Sequence, residues 1–176
     1  VSSSKDYFVL EKETVSVRVK APAGALLYAE LGDNSVKLIS EGTAPGTNKL
    51  YEEYYSGKLT MPEVQDGEII DLGYVSVKAT LKRESVTLEL GRVRVGGEGA
   101  VIPVEVTAKR AGLKVSTDSY YYDDFTTQAK GMRDNAVSLE NGFYRLRVGG
   151  YVSESDVTEL EAEVPIATVS GAEVRN

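Results

Sequence analysis

The 176 residues contain no histidine, no cysteine and no tryptophan. Without histidine the chain lacks the side chain that most often moves protons near neutral pH, and the commonest metal ligand. Without cysteine it has no thiolate nucleophile, no disulfide and no soft-metal ligand. Ser-His-Asp and Cys-His catalytic sets are therefore excluded, and an enzyme would have to run on carboxylates, Lys, Tyr or Ser alone. No apolar run approaches the roughly 18–20 residues of a membrane-spanning helix. Asn, Gln and Met are sparse. Depletion of thermolabile side chains is a trend of hyperthermophile proteins, and a source of that kind is expected.

Positive charge is also in deficit. Lys and Arg number 20 against 27 Asp and Glu, giving a net charge of −7 and a pI near 4.8. Such a surface argues against nucleic acid or an anionic membrane as partner. It favours cations, or further copies of the chain that bring complementary patches. The length suits one domain with a core large enough to stand without disulfides. The chain begins at Val1 rather than Met, which predicts a mature, exported product left after removal of a signal peptide.

Period-2 alternation dominates what is present. Val15, Val17 and Val19 alternate with Ser16, Arg18 and Lys20, and Val75, Val77, Ala79 and Leu81 repeat the pattern. Val86, Leu88 and Leu90 follow, and after Gly91 the parity flips at Val93 and Val95, which predicts a β-bulge or a bend there. Val104, Val106 and Ala108 form another strand, with Pro103 at its start or on an edge. Leu160, Ala162, Val164 and Ile166 alternate with Glu159, Glu161 and Glu163. Asn141-Gly142 between two such runs is a hairpin turn, because a type I′ turn needs φ > 0 at both central residues. Further strands are expected at Ala25–Leu31, Ser35–Ser40, Glu68–Leu72 and Leu113–Ser116. Asn48–Ser56 and Thr126–Asn135 read as one or two short helical turns. The sum is an all-β chain: a two-sheet antiparallel sandwich of jelly-roll or Greek-key style.

Residues 1–12 stand apart from a sandwich at 13–176. Val1–Lys5 is a polar tether, and Tyr7, Phe8, Val9 and Leu10 form an unbroken apolar run too short to fold alone. It reads either as an internal strand buried on both faces or as a donor strand inserted into the next subunit.

Catalytic motifs are weak. Ser2-Ser3-Ser4-Lys5 matches Ser-x-x-Lys only formally, and Gly96-Gly97-Glu98-Gly99 lacks the rest of a phosphate loop and reads as a hairpin turn. Two carboxylates suffice for a glycosidase, but 27 acidic residues supply such a pair by chance. Ca²⁺ takes six to eight oxygens, and the best cluster for it is Asp118 with Asp123 and Asp124. Asp134-Asn135, Asp33-Asn34 and Glu63 with Asp66 come next, although such residues also form turns without any metal. Tyr120, Tyr121 and Tyr122 are consecutive, so at least one ring faces outward, which suits a protein interface more than sugar stacking.

Taken together, the mature-looking start, the segment Ser4–Lys12 and the acidic, Val-rich sandwich resemble the subunits of archaeal extracellular filaments and tubes, of cannula or bundling-pilus type. The resemblance implies an exported structural protein, not an enzyme. Its Tyr7–Leu10 strand would complete a neighbour's sheet in a homopolymer, with Ca²⁺ at the acidic loops. The alternatives are a carbohydrate-binding or cell-surface adhesion module, an acidic-residue hydrolase and a viral coat protein.

Overall fold

The computed structural model describes residues 5–43, 52–117 and 124–162. These residues are almost entirely β-structure. In the first half lie β1 (Tyr7–Leu10), β2 (Thr14–Pro22), β3 (Leu26–Leu31), β4 (Asn34–Thr43), β5 (Glu52–Thr60), β6 (Ile69–Leu81) and β7 (Glu84–Gly96). The second half holds β8 (Ile102–Val106), β9 (Arg110–Lys114), β10 (Thr126–Ala129), β11 (Arg133–Glu140), β12 (Phe143–Leu146), β13 (Tyr151–Ser153) and β14 (Val157–Glu159). A single 3-10 turn at Glu154–Asp156 is the only helical element among the described residues.

Hydrogen bonding joins the strands in the order β10-β9-β13-β12-β11-β1-β7-β6-β3-β4-β5-β2, with β8 branching from β11 and β14 from β8. The sheet is mixed rather than purely antiparallel. β1 runs parallel to β7, pairing Tyr7 with Val93, Phe8 with Arg94, Val9 with Val95 and Leu10 with Gly96. Its other edge is antiparallel to β11, with Phe8 opposite Leu139. A long stretch of chain separates β1 from both partners, so the parallel pairing needs no local crossover helix.

Two apolar cores result. The larger takes Val15 and Val17 from β2, Leu27 and Ala29 from β3, Leu38, Leu59, Val75, Val77, Val93 and Val95. Strands β2 and β7 lie five steps apart in the sheet, about 24 Å if flat, so one shared core requires the sheet to fold back on itself. The smaller core gathers Ile102, Val104, Val106, Leu113, Leu139, Tyr144, Leu146 and Val152. Alternation decides which side chains enter: Val15 and Val17 are buried while Thr14, Ser16 and Arg18 are exposed.

Several expectations hold. Asn141 (φ 53°) and Gly142 (φ 81°) both take positive φ and close the β11–β12 hairpin. The register of β6 on β7 slips between Tyr74–Arg92 and Ser76–Glu89, which places an extra residue at Leu90-Gly91, where the parity flip predicted a bulge. Others are corrected. Thr126–Asn135 is not helical but supplies β10 and the start of β11. The described part of Asn48–Ser56 is strand β5, held over nine registered pairs with β2; in both places tertiary pairing overrides local helix preference. Gly96–Gly99 is a turn, with the Ala100 N–H donating to the Gly97 carbonyl at 3.1 Å. It is not a hairpin, because β7 and β8 do not pair; it carries the chain from one core to the other.

Glycine is demanded in that turn by close approach. A Cβ on Gly96 would lie 2.7 Å from the Ala100 Cβ and 2.8 Å from the Phe8 ring, and one on Gly97 would lie 1.9 Å from the Gln65 carbonyl oxygen. Gly96→Ala is therefore expected to push Phe8 out of place and to lower stability by about 1–3 kcal/mol, read as a shift of the denaturant midpoint. Ala at Gly32, where a Cβ meets nothing within 4 Å, costs less despite its positive φ.

Candidate functional site

The short strand β1 is the feature on which the two cores meet. Its alternation sends Tyr7 and Val9 into the larger core and Phe8 into the smaller. Phe8 is 0% exposed and Val9 2%. A strand buried on both faces reads as a continuous apolar run rather than an alternating one, which is the pattern of Tyr7–Leu10. One flank is less closed: an open cleft of about 540 Å³ lies between β1 and β2, lined by Tyr7, Val9, Val15, Arg18, Glu140 and Asn141. The Arg18 guanidinium, at that cleft, also stands 3.9 Å over the Tyr54 ring.

Polar groups frame the slot. Lys5 Nζ donates to the Asn141 carbonyl at 3.0 Å and the Tyr7 hydroxyl to Asn141 Oδ1 at 3.3 Å. The Arg92 backbone N–H donates to Asp6 Oδ1 at 3.3 Å, and the Leu10 N–H to Glu13 Oε2 at 3.1 Å. The turn between β1 and β2 contains Lys12 at φ 62°, a left-handed conformation that a side chain with a Cβ seldom adopts. The Lys12 ammonium lies 3.6 Å from Glu11 and 3.5 Å from Glu63.

Above Phe8 a charged clip spans the two halves. Arg94 on β7 forks onto Glu159 of β14, with contacts of 2.9 and 2.6 Å, and the Tyr144 hydroxyl donates to the same carboxylate at 2.7 Å. Arg94 first, and Tyr144 to a lesser degree, hold Glu159 below the usual glutamate range. Burial pushes the Tyr144 phenol well up, with Glu159 adding to the shift. Glu140, at the cleft, is raised by burial and then by the like charge of Glu13. Tyr7 is raised by burial and then by Glu140.

The structure thus brings Tyr7, Phe8, Val9 and Leu10 together in one slot of their own chain. Asp118, Tyr120, Tyr121, Tyr122 and Asp123 lie outside the described residues. Asp124 is described, and its carboxylate is 3.0 Å from Lys114 Nζ. Among the described residues no three acidic side chains stand close enough to hold a metal. Glu63 pairs with Lys12, Asn34 donates to the Thr60 carbonyl and Asp134 accepts from the Asn135 N–H. Sequence reasoning missed the Arg94–Glu159–Tyr144 clip, because Glu159 alternates with Leu160 like any solvated strand carboxylate.

The two glutamates act on stability with opposite sign. Glu159 has a lowered folded pKa, so its contribution is present above the ordinary carboxylate range and fades as pH falls through the lowered value. Glu159→Gln is expected to cost about 1–2 kcal/mol at pH 7, with the gap to the native chain closing in acid. Glu140 has a raised folded pKa, so its ionised form opposes folding; Glu140→Gln should raise the unfolding midpoint at neutral pH and change nothing once the carboxyl is protonated. Thermal melts from pH 3 to 8 separate the two. Compared with known protein families, with curated proteins and with solved structures, the chain matches none of them.

Proposed function

We propose that this chain is a structural subunit, exported and assembled outside the cell into a filament or tube, in which each copy lends β1 to the next. In this reading the larger core belongs to a two-sheet sandwich of jelly-roll style, and β1 is its exchangeable strand. The observation that carries it is a doubly buried strand joined to the body by a short turn with a left-handed lysine.

Magnitudes make the exchange plausible and an empty slot untenable. Burying Tyr7, Phe8 and Val9 contributes about 2 kcal/mol each, a sum of the same order as the roughly 5–15 kcal/mol that holds a whole domain folded. The slot must therefore be filled, by the chain's own β1 or by a neighbour's. A neighbour's strand makes the same contacts and the same backbone ladder. The balance then turns on the turn: an extended path through Lys12 would release about 1–2 kcal/mol of left-handed strain, against the entropy of association. Short strained hinges favour such swaps. A head-to-tail exchange is heterologous, so it continues into an open fibre or closes into a ring or tube rather than stopping at a dimer.

Asp6 and Arg92 are adjacent, and Arg92 is exposed, so the chain, which has no cysteine of its own, accepts a single engineered disulfide there. The Asp6→Cys/Arg92→Cys protein is expected to remain monomeric when oxidised and to polymerise when reduced, as seen by electron microscopy and sedimentation. Lys12→Gly, which relaxes the turn, should slow polymerisation, and Lys12→Pro, which cannot adopt it, should hasten it. Equal assembly of the oxidised and reduced disulfide protein would defeat the proposal.

A further inference from the structure

Among the described residues, the half of β7 that precedes the bulge has an unpaired edge. From Glu84 to Glu89 it pairs with β6 on one side, and no strand of the described residues takes the other, because β1 meets β7 only from Val93 onward. Val86 and Leu88 share the face of Val77, Ala79 and Leu27, yet they are 68% and 52% exposed. They form one wall of an open groove of about 360 Å³ whose opposite wall is Val19 and Ala21 of β2. The segment carries no proline, its bulge begins only after Glu89, and its charges, Glu84 and Glu89, stand at its ends, leaving Ser85–Leu88 uncharged.

We propose that this edge is an interface with a second copy of the chain, the two β7 strands pairing antiparallel about a two-fold axis through Thr87. The register follows from the hairpin. Lys82 and Arg83 make a two-residue loop closed by Leu81 and Glu84, so Glu84, Val86 and Leu88 direct their backbone groups to β6, and Ser85, Thr87 and Glu89 direct theirs outward. With Thr87 on the axis, each Ser85 faces the other copy's Glu89, and these outward residues exchange backbone hydrogen bonds in pairs. Each Val86 then stands opposite the other copy's Leu88, so the exposed apolar side chains cover one another. On the outer face Arg83 falls diagonal to the other copy's Glu89, within reach of a long side chain.

Charge complementarity selects this partner. Arg83 and Glu89 have no ion-pair partner among the described residues of their own chain, and two-fold pairing gives each of them one, making two such pairs per dimer. A two-fold one residue either side of Thr87 does worse. Centred on Val86, it would set Glu84 against Leu88 on the apolar face. Centred on Leu88, it would lay the apolar Val86, rather than Glu84, against the bulge at Leu90. The contact uses no part of β1 and is independent of strand exchange.

The test uses the full chain carrying Lys12→Gly, which slows β1 exchange, and compares variants within that background. With no native cysteine, Thr87→Cys forms only intermolecular disulfides, and Lys78→Cys, exposed on the adjacent strand opposite Thr87, is the control. The covalent dimer is expected to form about tenfold faster from Thr87→Cys than from Lys78→Cys. In sedimentation, Arg83→Glu should weaken the dimer about tenfold and Arg83→Glu with Glu89→Arg should restore it. Equal cross-linking at the two cysteine positions, or a monomer at all concentrations with no response to the charge exchange, would overturn the proposal.

Discussion

Two separate cores depend on one four-residue strand whose neighbouring side chains point in opposite directions. Tyr7 and Val9 complete the larger core and Phe8 the smaller, so neither is closed without β1. The strand also carries the sheet from β11 to β7. A substitution that moves Phe8 is therefore felt by both halves. Gly96 makes room for that ring, and Arg94, paired in register with Phe8, places the clip to Glu159 directly above it.

Electrostatics reinforces the same point of the molecule. The clip joins the first-half strand β7 to the last described strand, β14, across the region β1 fills. A forked arginine on a carboxylate that also accepts from a tyrosine is a directional contact, and it is half-buried, where screening is weaker than at the open surface. Glu140 pulls the other way, a carboxylate held partly out of water beside Tyr7. The slot is thus fastened by an ion pair on the Phe8 side and lined by a carboxylate, Glu140, on the Tyr7 side.

Much of the fold is legible in the residues. Alternation locates β2, β6, β8 and the β7 strand, Asn141-Gly142 fixes a hairpin, and the parity change at Gly91 marks a bulge, because each is a local rule with a local cause. The helical reading of Thr126–Asn135 fails for the opposite reason: Gln, Ala, Lys, Met and Arg favour a helix locally, but Gly131 at φ 87° breaks the run and β9 and β8 take up the flanking strands. Tyr7–Leu10 announces a strand buried on both faces, though nothing in it names β7 and β11 as neighbours. The exposure of Val86 and Leu88 is not legible at all, since their alternation is that of a buried strand and only the length of the hairpin carries them past the cover of β2.

The order in which the chain is made gives the placement of β1 a further consequence. Its nearest partner in the sheet, β7, ends at Gly96, and the other, β11, is completed only at Glu140. β1 is therefore made well before either of its partners in the sheet. Contacts so distant along the chain form slowly, and until they do, an apolar segment waits beside an unfinished sheet.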